Sequence, residues 1–473
     1  MPGLEESVLD GLSAALEHAL SLGADFADVR LVRVQRTAVL WDNDRLRENQ
    51  YSSVQGAGFR VVYRGVHAYS STTSLDTASL RGAVERALRL ARALALGGAE
   101  PRPLAEAPVV EARAESPWLR DPLSVEPGRM VEVARLAAES ARSVRGVMSA
   151  VGAVAAERVD RVVANTEGTL VRVGVVATGL FVSAHARGPE GLERVYDSWG
   201  RVAGWEHIEG LDPEEAGRTV GRLAVEAARA RPPEAGRYKV VLDPEIVGTL
   251  IHEALGHASE ADLVASGESI LQGRLGEEVA SEMVSVVDDG RAPGGYYVPF
   301  DDEGVEKRRT VIVDRGVLRG LLTGRAEAAA LGLPLTGNAR VQDHARLLLV
   351  RQTNYFILPG DWRLEELLEE ADGGIYVTGK GGGGGQVDPG TGSFTFNVGV
   401  SYTIRRGELA EPLRGVNISG MILETLRNVR GLGRRLVVRT GAVFGGCGKG
   451  GQLVRVGDGG PHTLVEGMRV GGR

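Results

Sequence analysis

At 473 residues the chain is too long for one small domain, so two or three domains are expected. Its 43% hydrophobic and 25% charged residues are those of a folded globular protein, and a net charge of −7 gives no electrostatic reason to expect nucleic acid or an anionic membrane as partner. The single cysteine, Cys447, excludes an intrachain disulfide and fits a reducing compartment.

Residues 5–22 place Leu9, Leu12, Leu16 and Leu20 on one stripe, which predicts an amphipathic helix ending at Gly23. This helix is acidic, unlike a signal peptide, and no apolar run approaches the length of a membrane span. The expected location is the cytoplasm. From Ala27 the hydrophobic period changes to two. Strands are expected through Val29, Leu31 and Val39, with a turn at Asp42-Asn43-Asp44 and a hairpin around Arg64-Gly65. A second helix is expected at 77–96. The first unit is therefore 1–98, and the Pro/Glu/Ala-rich stretch 99–122 reads as a linker.

The middle unit, 123–231, repeats this plan. A helix near 127–143 precedes strands at 148–154, 158–164, 169–176, 179–186 and 194–203, and a helix at 213–231 closes it. The C-terminal unit, 232–473, holds short strands such as 238–242, 310–313, 354–357 and 375–377, a helix at 419–428 and many glycines. The fold class is α+β, with helix-plus-antiparallel-meander N-terminal units and a larger, sheet-rich C-terminal domain that binds a metal. The reason for expecting a metal lies in one short stretch.

That stretch is His252-Glu253-Ala254-Leu255-Gly256-His257. It follows Asp243-Pro244, a strong helix start, and a buried face of Ile246, Val247, Leu250 and Ile251. Imidazoles bind zinc well, and a carboxylate beside a metal can take a proton from water. The order resembles the HExxH zincin helix with one residue added. On an ideal helix the two histidines would point about 140° apart. They can face one metal only if the helix widens toward a π-type turn or ends at Gly256.

Two glycine motifs are declined. Gly374 to Lys380 matches GxxxxGK, but Gly381 stands where a phosphate loop needs Ser or Thr, and 375–377 reads as a strand. Gly446 to Gly451 matches GxGxxG, but a strand follows where a dinucleotide fold needs a helix. Those glycines instead let a loop carrying Cys447 approach closely. A catalytic zinc takes three protein ligands and keeps one position open, and thiolate is an excellent ligand. Alone, Cys447 reads as a small buried residue. Beside the histidine pair it reads as the third ligand.

His252 to His257, with Glu260 and Asp262, resembles the HExxxH signature of the TldD/PmbA family of metallopeptidases, and Gly445-Gly446-Cys447-Gly448-Lys449 resembles its cysteine loop. Asp301 to Gly304, Thr336-Gly337-Asn338 and Gly384 to Asp388 are similar to other segments of that family, in the same order. Because both histidines, Glu253 and Cys447 are present, the likeness is to the TldD-like branch. It implies a cytoplasmic zinc peptidase acting on unfolded or extended peptides. It also implies a homodimer, or a heterodimer with a metal-free paralogue.

In that reading His252, His257 and Cys447 hold Zn2+, and Glu253 is the general base. Sheet edges near the site are expected to take the substrate backbone as an added strand. Arg340 and His344 are polar candidates for stabilising the oxyanion, although each reads more simply as a satisfied surface residue. The rival reading is a non-catalytic partner or scaffold subunit with a structural metal. The sequence supports neither direct nucleic-acid nor membrane binding.

Overall fold

The computed structural model describes residues 6–189, 191–382 and 384–472. Helix α1 (Glu6–Ser21) buries Leu12, Ala15, Leu16 and Ala19. Strands β1 (Phe26–Asp42), β2 (Arg45–Tyr63) and β3 (Val66–Thr72) form an antiparallel meander, and α2 (Thr77–Leu96) follows. Asp76 caps α2 by accepting from the Ser79 amide at 2.9 Å. The turn between β1 and β2 places Asn43 at φ 56°, a region asparagine tolerates better than most residues.

The next strands do not start a separate sheet. β4 (Glu111–Glu115), β5 (Val147–Asn165), β6 (Leu170–Gly188) and β7 (Gly191–Arg201) join the first three in one seven-stranded sheet. Its order is β3-β2-β1-β5-β6-β4, with β7 also on β6. The seam is the antiparallel ladder between β1 and β5, from Asp28 opposite Asn165 to Asp42 opposite Val151.

The stretch read as a linker thus contains a strand. Glu111–Glu115 alternates polar and small residues, and β6 offers an edge for it to pair with in parallel. The expected strands 148–154 and 158–164 are one continuous β5, because Glu157 stays in the ladder, buried between Arg36 and Arg455. Likewise 169–176 and 179–186 fuse into β6. Gly179 sits there because a Cβ would come within 3.0 Å of Val443. Helices α3 (Pro127–Ser143), the short α4 (Glu206–Glu209) and α5 (Pro213–Arg229) complete this half. α3 packs on the sheet closely enough that a Cβ on Gly152 would meet the Ala134 carbonyl at 2.2 Å.

The C-terminal half is built on two sheets. In the nine-stranded one, β8 (Gly236–Leu242) lies between Ile375–Val377, which runs parallel, and the antiparallel Thr463–Gly472. The strand Gly384–Asp388 stands at one end of this sheet, beyond Ser393–Asn397. The stretch 419–428, expected as a helix, is split. Its first residues finish strand Val416–Met421, and only Ile422–Arg427 is helical. The six-stranded sheet includes Val286–Asp288, Asn354–Ile357 and Gly457–Gly460. Helix α6 (Pro244–Ile251) lies in the core between the sheets, its Ile246, Val247, Leu250 and Ile251 clustering with Leu242, Tyr355 and Phe396. No helix among the described residues is long and apolar enough to cross a membrane.

Candidate metal centre

The centre begins with the way α6 starts and stops. Asp243 accepts from the Ile246 amide at 2.8 Å, and Pro244 occupies the first turn. The helix then widens. His252–Gly256 forms a π-turn, closed by the bond from the His257 amide to the His252 carbonyl. This distortion brings the two imidazoles, five residues apart, to the same side. Their ring centroids lie 5.3 Å apart, edge to face.

Gly256 permits the turn. A Cβ there would lie 2.0 Å from Oε1 of the buried Gln352, whose Nε2 donates to the His252 carbonyl at 3.1 Å. On the opposite wall, the strand Cys447–Lys449 turns back through Gly450 and Gly451, at φ 55° and 70°, into Gln452–Val454. These glycines close a hairpin. Ile375–Val377 is likewise a strand, as the other declined motif required.

One nitrogen from each of His252 and His257 and the Cys447 sulfur lie within 4.8 Å of one another. The three residues are 4%, 9% and 2% exposed. Cys447 Sγ is 3.4 Å from His257 Nε2. The other nitrogen of that ring, Nδ1, is 3.0 Å from Glu260 Oε2, so a proton held there leaves Nε2 facing the sulfur. His252 Nδ1 is buried without a hydrogen-bond partner among the described residues.

Burial opposes charge on every member, yet their mutual attraction prevails. Burial pushes the Cys447 thiol up, but His252 and hydrogen bonds from both imidazoles bring it well below the usual thiol range. Burial pushes His252 down, and the charge on Cys447 lifts it to about 9. Glu260 is resisted by burial and brought down to about 2 by His257 and Lys449. Two imidazoles and a thiol that favours thiolate, converging in a buried place with one nitrogen unpartnered, suit a zinc-type cation.

Glu253 starts one residue round the turn from His252, and its side chain is 39% exposed. Its Oε2 is 3.9 Å from His257 Nε2. With His252, Arg439, Gly445, Gly446 and Asp458 it lines a cleft of about 250 Å³. The carboxylate therefore stands beside the donor set at a cleft that His252 also lines.

The other two candidates are placed differently. Arg340 is buried and donates to the carbonyls of Gln352 and Arg455, each at 2.7 Å, so it braces backbone. His344 packs on the N-terminal sheet, where a Cβ on Gly56 would meet its ring at 2.3 Å. Sequence reasoning missed Gln352 and Arg351, the latter donating to the Cys447 carbonyl. Neither carries a local motif that announces such a role.

Comparison with known proteins decides the family. Residues 27–91, 120–230 and 235–472 match, in turn, PmbA/TldA metallopeptidase domain 1, central domain and C-terminal domain. The chain belongs to the TldD/PmbA family of metallopeptidases. A metalloprotease of Methanothermobacter thermautotrophicus is 38% identical over 462 residues, covering 95% of this chain and 96% of its own. A zinc metalloprotease TldD homolog of Saccharolobus solfataricus is 38% identical over 242 residues, covering 51% of this chain and 53% of its own. The crystal structure of TldE from Thermococcus kodakarensis shares the fold, with TM-score 0.80, 19% identity and coverage of 98% of this chain and all of the other. This TldD/PmbA protein is accordingly a metallopeptidase, and its mixed helix and sheet architecture is that of the family.

Proposed function

We propose that this chain is a zinc-dependent peptidase that hydrolyses unfolded or extended peptides, with His252, His257 and Cys447 as metal ligands and Glu253 as general base. The observation that carries the reading is the convergence of those three donors beside a carboxylate that faces a cleft. When bound, zinc supplies Lewis acidity toward the scissile carbonyl and acidifies water. Glu253 Oε2 takes the proton of the attacking water and delivers it to the leaving amine. Glu260 holds the His257 ring in register through Nδ1. Gly445 and Gly446 line the cleft, and a Cβ on them would meet Gly441 and the Val454 carbonyl, so they let the cysteine loop pack closely there.

Substrate backbone adds to the edge strand Gly384–Asp388, which lies beside the π-turn and is largely exposed. Main-chain pairing of that kind selects extended peptides with a loose side-chain preference. A dimer, with itself or with a metal-free paralogue, is the assembly the family resemblance favours, and a structural neighbour is named TldE. A single thiol, read as a metal ligand, supports a reducing compartment such as the cytoplasm.

The test is zinc content set against peptidase activity. Glu253→Gln keeps zinc and lowers activity on an unstructured peptide by at least about a hundredfold. His252→Ala and Cys447→Ala lose zinc and activity together. A Glu253→Gln protein with full zinc and near wild-type rate would sink the mechanism.

A further inference from the structure

The hairpin that carries Cys447 belongs to none of the three large sheets. Cys447–Lys449 pairs with Gln452–Val454 alone, as a two-stranded sheet. Two strands by themselves are marginal in water, so side chains must hold this hairpin against the histidine helix. In a strand, residues two apart point to the same face, which sends Lys449 toward the same wall as Cys447.

Lys449 Nζ reaches Glu260 Oε2 at 2.8 Å, both oxygens of Asp262 at 2.7 and 2.8 Å, and the Val350 carbonyl at 3.1 Å. An ammonium has three protons to donate, so this one is fully engaged. The side chains of Lys449, Glu260 and Asp262 are 13%, 0% and 22% exposed, which shields these bonds from water and salt. Glu260 Oε2 is also the atom that faces His257 Nδ1. One carboxylate oxygen therefore ties the ring of one ligand to the hairpin bearing another. Behind the hairpin, Arg351 donates to the Cys447 carbonyl.

We infer that Lys449 is a positioning residue of the metal centre, a latch that clamps the cysteine hairpin onto Glu260 and Asp262 and so sets how firmly the Cys447 thiolate holds the metal. The inference rests on the metal-site reading above. Lys449 touches neither the metal nor the substrate. It acts through Glu260 on His257 and through its own strand on Cys447. Loss of a partner of this kind lowers metal affinity by about 10- to 100-fold in other sites.

The experiment uses the full chain loaded with cobalt(II), whose absorption spectrum reports sulfur ligation through a thiolate-to-metal charge-transfer band. Wild type, Lys449→Met and Asp262→Asn are compared for that band and for the rate of cobalt loss to a chelator. Lys449→Met is expected to weaken the band and speed cobalt loss at least tenfold, with Asp262→Asn intermediate. A merely structural lysine would change the melting temperature and leave the band of the loaded protein intact. Variants with wild-type band and release rate would overturn the latch while leaving the metal site standing. Wild-type protein that takes up no cobalt would overturn the metal site itself. If Lys449→Met fails to fold, Asp262→Asn decides alone, since it preserves side-chain size at a partly exposed position.

Discussion

Gly256 and Gln352 show how little room the centre has. The glutamine is fully buried, and its amide holds the carbonyl that closes the π-turn. A methyl group on Gly256 would overlap that amide, so either the turn or the amide must move. Gly256→Ala is expected to cost about 1–3 kcal/mol in urea unfolding. Adding Gln352→Ala should recover part of the loss, because the shorter side chain leaves space for the methyl. A Gly256→Ala protein with a wild-type urea midpoint would show that the amide yields freely.

Among the elements, α6 carries the most consequence for its length. It is eight residues long, too short to be stable alone, and it depends on its cap and its packing. Asp243 serves both ends of that need. It accepts from the Ile246 amide at 2.8 Å and from the Gly379 amide at 3.1 Å, tying the helix start to the loop after Ile375–Val377. Asp243→Ala should destabilise the protein by about 1–2 kcal/mol in urea unfolding, and Asp243→Asn by less, because asparagine also caps well. Equal losses for the two variants would argue that the cap contributes nothing.

For the whole molecule, the two halves are joined by charge buried where they meet. Arg60 on β2 pairs with Asp28 on β1 and, at 2.7 Å, with Glu303 of the C-terminal half. These three side chains are each 2% exposed. Glu303 also accepts from the Arg325 amide, and Arg325 reaches back to Glu167 and the Ala105 carbonyl. Replacing the arginine leaves the Glu303 carboxylate out of water without its ion pair, while Asp28 keeps Arg30. Arg60→Met should lower stability by about 3–5 kcal/mol at neutral pH, measured by chemical denaturation. Arg60→Met combined with Glu303→Gln should regain part of it, since the neutral amide leaves no unpaired buried charge and its oxygen can still accept from the Arg325 amide. No regain in the double variant would mean that the network, and not the stranded charge, carries the stability.

What the sequence determined by itself is what neighbouring residues encode. The cap at Asp243-Pro244, the apolar face of α6 and the turn glycines are local signals, and each lies where its element begins or bends. The five-residue offset of His252 and His257 demanded a distorted helix, because an ideal one would turn the rings apart, and a π-turn is the distortion found. Partner choice was not legible. Alternation in β1 and β5 is the same whatever strand lies alongside, so the pairing that merges two apparent units into one sheet had no local mark. The strand at Glu111–Glu115 was hidden among prolines and charges because only the free edge of β6 makes it a strand. Lys449, Glu260 and Asp262 meet across 189 and 187 residues of chain. Such a meeting depends on how the hairpin docks on the helix, and only tertiary packing decides that.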